Sequence, residues 1–156
     1  MKKLLTLSII AILILASCET GTTVYRKIKT ISDSYIWTAK DTIFFKKDIK
    51  DSTSNMQLSV SLRYIMGYPN TTLPIKLVII DPKGNVLELT PELNIVDENN
   101  KYIGDIMGDL ADIEQVVVDS VIFSSPGVYN FKLIQNANKP VVSHVHAIGL
   151  CIKKIK

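Results

Sequence analysis

Between residues 56 and 64 the chain alternates without a break: Met56, Leu58, Val60, Leu62 and Tyr64 are apolar, Gln57, Ser59, Ser61 and Arg63 polar. A period of two places one set on each face of an extended strand, so this stretch is predicted to be a half-buried antiparallel strand with one wetted face. A slip of one residue would turn the whole apolar set to water, so the register is fixed by burial. Shorter runs repeat the signal: Ile43-Phe44-Phe45 towards Ile49, Leu73 to Ile80, Val86 to Leu89, Gln115 to Phe123, Val128 to Gln135 and Val141 to Ile152. Tyr129, Phe131 and Leu133 share a face. Val24 to Ile31 reads as a first strand whose lysines suit a sheet edge. Turn residues separate the runs, at Ser32-Asp33-Ser34, at 50–55, at Gly67-Tyr68-Pro69-Asn70, at Ser125-Pro126-Gly127 and at 136–139. Asp81-Pro82-Lys83-Gly84-Asn85 is the strongest hairpin signal. Residues 92–114 are the least regular and are expected to form one long acidic loop with a helical turn near Leu110, and 153–156 a basic tail. No later segment keeps helical spacing. Seven to nine strands predict an all-β fold, a single antiparallel β-sandwich of which a jelly roll is one form.

The first eighteen residues have a different grammar. Lys2 and Lys3 precede an apolar run from Leu4 to Ala16, and small residues follow. That is the anatomy of a secretory signal, and the run is short of the roughly 20 apolar residues a membrane-spanning helix needs. Leu15-Ala16-Ser17-Cys18 resembles the lipobox of bacterial lipoproteins, in which the cysteine sulfur receives a diacylglycerol, cleavage follows before it, and the new amine is acylated. The expected organisation is a signal peptide over 1–17, a lipidated tether over 18–23 and one β-sandwich domain over 24–156. Three acyl chains would hold such a domain on its membrane, since a single chain binds only marginally. Glu19 follows the cysteine rather than the Asp that favours inner-membrane retention, so the outer membrane is the expected location.

With the signal removed, sixteen basic residues face fifteen acidic ones, and nucleic acid is excluded as a partner. A lipidated Cys18 leaves Cys151 with no partner for a disulfide. Cys151 is expected as a small buried side chain in a strand.

Few residues could carry chemistry. His144 and His146, two apart on the last predicted strand, would share a face and could meet one metal, but nothing nominates a third ligand. Asp97, Glu98, Asp105, Asp109 and Asp112 could supply oxygen ligands to calcium, or a glycosidase carboxylate pair, yet they miss the EF-hand spacing. Neither a nucleophile elbow nor a phosphate-binding glycine loop is present. No catalytic residue, metal ligand or cofactor is therefore assigned. Trp37 is expected to close one mouth of the core, whereas Tyr68 and Tyr102, in turns, could stack on a sugar ring or a partner side chain.

An ordered set of motifs then resembles the gliding-motility lipoprotein family GldH of Bacteroidota. It comprises Trp37, Leu62-Arg63, Tyr68-Pro69-Asn70, Pro82 with Gly84, Tyr102-Ile103-Gly104, and Gly108-Asp109. Val121 and Phe123, Pro126-Gly127-Val128-Tyr129-Asn130-Phe131, Gln135, and Ile148-Gly149-Leu150 complete it. Two positions depart from the pattern: Cys151 stands where the family has an arginine, and Tyr102 where it has a tryptophan. The resemblance implies an envelope component of the gliding machinery associated with type IX secretion, without catalysis. Its partners would be membrane lipid, through Cys18, and other envelope proteins, through Tyr68, Tyr102 and Asp109. A lipid-anchored carbohydrate-binding module is the alternative.

Overall fold

The computed structural model describes residues 21–155. They form twelve strands and contain no helix: β1 (Gly21–Thr30), β2 (Ile36–Thr38), β3 (Ile43–Ile49), β4 (Asn55–Ile65), β5 (Thr72–Ile80), β6 (Val86–Leu89), β7 (Glu92–Asn94), β8 (Asp105–Met107), β9 (Leu110–Ile122), β10 (Gly127–Gln135), β11 (Val141–Ser143) and β12 (Val145–Ile155). One sheet has the order β1-β12-β4-β9-β8 and the other β3-β10-β5-β6, with β7 also paired to β5, and β11 and β2 form a small separate ribbon. Every pairing is antiparallel. Apart from the β5–β6 hairpin, each step between the eight main strands carries the chain from one sheet to the other. This is jelly-roll wiring, the double Greek key.

The alternating stretch is β4, at the centre of its sheet, and its five apolar residues lie in the core with Phe45, Leu77, Phe131 and Leu150. Its other face is not wetted throughout, because Ser59 and Ser61 are buried as well. Small residues floor the outside of this sheet: Cys151 pairs with Ser59, and Gly149 with Ser61. Arg26 on β1 and Glu114 on β9 meet in an ion pair across that floor and roof it. A Cβ on Gly149 would come within 2.7 Å of Ile28 Cγ1 and 2.8 Å of the Lys27 carbonyl, so only glycine fits there.

Trp37 is fully buried, with its Nε1 donating to the Asp41 carbonyl at 3.0 Å. The 81–85 hairpin closes as the sequence indicates, with Asp81 N–H donating to the Asn85 carbonyl and Gly84 at φ 87°.

Four expectations are corrected. Residues 92–114 are not one loop with a helical turn; they hold β7, a bridge between Val96 and Tyr102, β8 and the start of β9. The strand begins at Gly21 rather than Val24, so residues 21–23 of the expected tether pair with Lys153–Ile155. Those same pairs take 153–155 out of the basic tail and into β12. Finally, Val141 to Ile152 is broken at His144, which adopts φ 67° between β11 and β12. Residues 18–20, the rest of the expected tether, lie outside the described residues.

The register defines two ends. Gly21 lies opposite Ile155, Asn55 opposite Ile122, and Gly127 opposite Ile49. The near end thus carries the start of β1 and the turns 50–54, 81–85 and 123–126. The far end carries the β4–β5 turn (66–71), the 95–104 loop and the β8–β9 turn.

Candidate functional site

The far end is built around Tyr64, the last apolar residue of the β4 alternation. Its ring is fully buried and its hydroxyl lies 2.8 Å from the Ile103 carbonyl and 3.2 Å from that of Ile95. Tyr68 packs edge-on against it at 6.4 Å between centroids, and Tyr102 lies tilted on it at 6.2 Å. The Tyr102 hydroxyl accepts the Gly67 N–H at 3.0 Å. Three aromatic rings thereby tie the β4–β5 turn to the 95–104 loop.

That loop is internally braced. Asp97 Oδ1 accepts the amides of Asn99 and Lys101, at 2.8 and 2.9 Å, and the Ile103 amide donates to the Ile95 carbonyl. Gly104 then passes so close to β9 that a Cβ would lie 2.3 Å from the Asp112 carbonyl oxygen, and its φ of 108° suits glycine. Next comes the β8–β9 hairpin, fastened by the Met66 amide donating to the Asp109 carbonyl at 2.8 Å. Arg63 closes the flank with two hydrogen bonds to Asp112, Nε to Oδ1 at 2.7 Å and Nη2 to Oδ2 at 2.6 Å. Those bonds hold the Asp112 carboxyl below the usual carboxylate range, against a smaller opposing effect of burial.

On this bracing the hairpin presents an apolar tip. Met107 is 83% exposed and Ile106 53%, on a three-residue edge strand, with Asp109 exposed beside them. Of the three contact residues expected from sequence, Asp109 is exposed, Tyr102 half-buried and Tyr68 buried. Tyr68 is 4% exposed and belongs to the core. This corrects its assignment as a contact side chain: its turn is exposed but its ring folds back onto Tyr64. Tyr102 is half-buried and spends its hydroxyl on Gly67. Tyr68, being buried, therefore offers no open face for a sugar ring. Met107 and Ile106 were missed, because sequence assigns exposed apolar residues to cores.

The histidines do not form the expected strand pair. His144 sits in the left-handed region, with Nδ1 2.9 Å from Ser143 Oγ, and His146 occupies the β12 bulge, where its ring lies 5.2 Å from Tyr35. Among the described residues no three His, Cys, Asp or Glu side chains converge as a metal site. Cys151 is buried, and burial pushes its thiol up, the wrong direction for a nucleophile.

No curated protein sequence matches the chain. Among solved structures it is similar to the CBM22-1 xylan-binding domain of Xyn10C from Paenibacillus barcinonensis, at 8% identity and TM-score 0.42 over 88% of this chain and 87% of that one. It is also similar to the CBM36-1 domain of a multidomain xylanase from the hindgut metagenome of Trinervitermes trinervoides, at 12% identity and TM-score 0.42 over 85% and 91%. A third likeness is to VP2 of the infectious bursal disease virus subviral particle, at 13% identity and TM-score 0.42 over 84% of this chain and 32% of that one. The chain thus spans about a third of VP2. At these identities and scores nothing is transferred from any of them. The GldH lipoprotein model matches residues 23–152, almost the whole of the described sandwich, and the chain belongs to the GldH lipoprotein family.

Proposed function

We propose that this lipoprotein is anchored by acyl chains on Cys18 in the outer membrane and acts, without catalysis, as an assembly component of gliding motility and type IX secretion. Its partners are other envelope proteins, which it meets through the β8–β9 hairpin. The observation that carries the reading is an apolar tip, Ile106 and Met107, held out beside Asp109 on a braced three-residue edge strand. A strand of three residues offers little edge for pairing with another sheet, so the contact surface supplied here is the pair of exposed apolar side chains. Family membership supports the anchor and the envelope location.

The test has two arms. Metabolic labelling with a clickable palmitate should mark the wild-type protein and leave Cys18→Ala unmarked and released from membranes. A photo-crosslinker at Met107 should capture envelope proteins of the motility or secretion machinery, whereas the same group at Phe44, exposed on the opposite sheet, should not. An unlabelled wild-type protein, or equal capture at both positions, would remove the proposal.

A further inference from the structure

The tether is much shorter than its composition suggests. β1 is already paired at Gly21, opposite Ile155, which leaves only Glu19 and Thr20 between Cys18 and the folded body. Three residue steps span at most about 11 Å when fully extended. The headgroup zone on one side of a bilayer is itself roughly 5–7 Å deep. A domain acylated at Cys18 therefore has no room to float, and its near end meets the lipid.

What that end presents fits an interface. Val86 is 59% exposed, Ile122 52% and Leu87 49%, and the three rim one cleft with Phe123 and Tyr129. Exposed Lys50, Lys83 and Lys154 lie at the same end, with stems long enough to reach the headgroups. Asp81 lines the same cleft, Asp48 and Asp119 are exposed at this end, and Lys154 is paired with Asp51 at 2.8 Å, so the local charge is close to balanced.

We infer that the near end, through Val86, Leu87 and Ile122, is a membrane-seating surface that stands the sandwich upright on the bilayer. The inference rests on the acylation of Cys18 proposed above. The occupant is a lipid surface, because covalent reach brings the bilayer to the start of β1 at this same end, and Ile122 lies only three strand spacings, about 14 Å, along that end. The same reach excludes the apolar tip of the β8–β9 hairpin. β8 is four strand spacings from β1, about 19 Å across the sheet. Its tip lies beyond the opposite end of β4, an eleven-residue strand of about 36 Å. Anchor and hairpin occupy diagonal corners. Because the charges nearly cancel, seating depends on apolar contact and not on anionic lipid.

The experiment uses the full-length acylated protein in phosphatidylcholine vesicles, with and without phosphatidylglycerol. A small fluorophore is attached in turn to Val86→Cys, Ile122→Cys, Lys27→Cys and Met107→Cys, all exposed sites. Cys151 is buried and stays unlabelled. With nitroxide-bearing lipids as quencher, labels at 86 and 122 should lose most of their emission in both compositions, while labels at 27 and 107 keep theirs. Loss confined to 27 would mean a domain lying on its β1 edge, and equal behaviour at all four sites a domain without fixed orientation. Either overturns the inference and leaves the anchor standing. A protein that does not float with the vesicles overturns the anchor, and this inference with it.

Discussion

The hydroxyl of Tyr64 lies 2.8 Å from the carbonyl oxygen of Ile103, joining the end of the central strand to the loop that carries the exposed hairpin. Tyr68, packed against the same ring, has a buried hydroxyl that completes no hydrogen bond, although the Asn70 side chain faces it. The two phenols should respond oppositely to losing an oxygen. Tyr64→Phe leaves the part-buried Ile103 carbonyl without its phenol donor, while the Ile95 carbonyl keeps the Ile103 amide, and should cost about 1 kcal/mol, whereas Tyr68→Phe should be neutral or slightly stabilising. Urea unfolding of both variants checks this, and equal losses would contradict it.

The same pair sets the alkaline limit. Burial pushes both phenols above the usual tyrosine value. A raised folded pKa means the proton is held more tightly in the folded state. Their contribution is whole below about pH 10 and is lost as pH rises beyond it. Spectrophotometric titration should show these two tyrosines, together with Tyr25, whose phenol burial also raises, ionising late.

Gly104 should be the least replaceable residue of the far end. Gly104→Ala forces a Cβ into the Asp112 carbonyl at positive φ and should cost more than about 2 kcal/mol. Gly108→Ala, at φ 62° with open space around it, should cost about 1 kcal/mol. Thermal unfolding of the two variants decides it, and similar melting points would refute the close approach.

Arg63 and Asp112 make an exposed pair, so their contribution is small. Asp112→Asn should lower stability by about 0.5–1 kcal/mol at neutral pH. With the folded carboxyl pKa lowered, that contribution exists above about pH 4 and disappears as pH falls further, so wild type and variant should converge in acid. A difference that persists in acid would show that packing, not charge, is responsible.

Much of this was legible. The β4 alternation, the 81–85 hairpin and the Tyr129-Phe131-Leu133 face all follow from period and turn chemistry, and they suffice for an antiparallel sandwich. The 92–114 region was not, because its strands are short and its charges sit among core residues. Ala111 and Ile113 are buried while Asp112 and Glu114 face out, a period-two signal too brief to outweigh the acids around it. Gly21-Thr22-Thr23 reads as a tether because an edge strand in solvent needs no apolar face. The burial of Tyr68 depends on where Tyr64 lies, a relation between distant residues that local pattern does not encode.

Cys151 should behave as its burial dictates. With its thiol raised by desolvation, it should be inert to Ellman's reagent in the folded protein at neutral pH and react fully once unfolded. Prompt reaction of the native protein would mean that the roof formed by Arg26 and Glu114 opens.

The most direct measurement is motility and type IX cargo release in cells whose chromosomal copy carries Ile106→Asp with Met107→Asp. Phe44→Asp serves as the exposed control. Both changes lie on the surface, so protein level and membrane fraction should match wild type. The hairpin variant should neither spread nor secrete, and the control should do both. Normal spreading and secretion by the hairpin variant, at normal protein level, would contradict a protein that works by touching its neighbours through that tip.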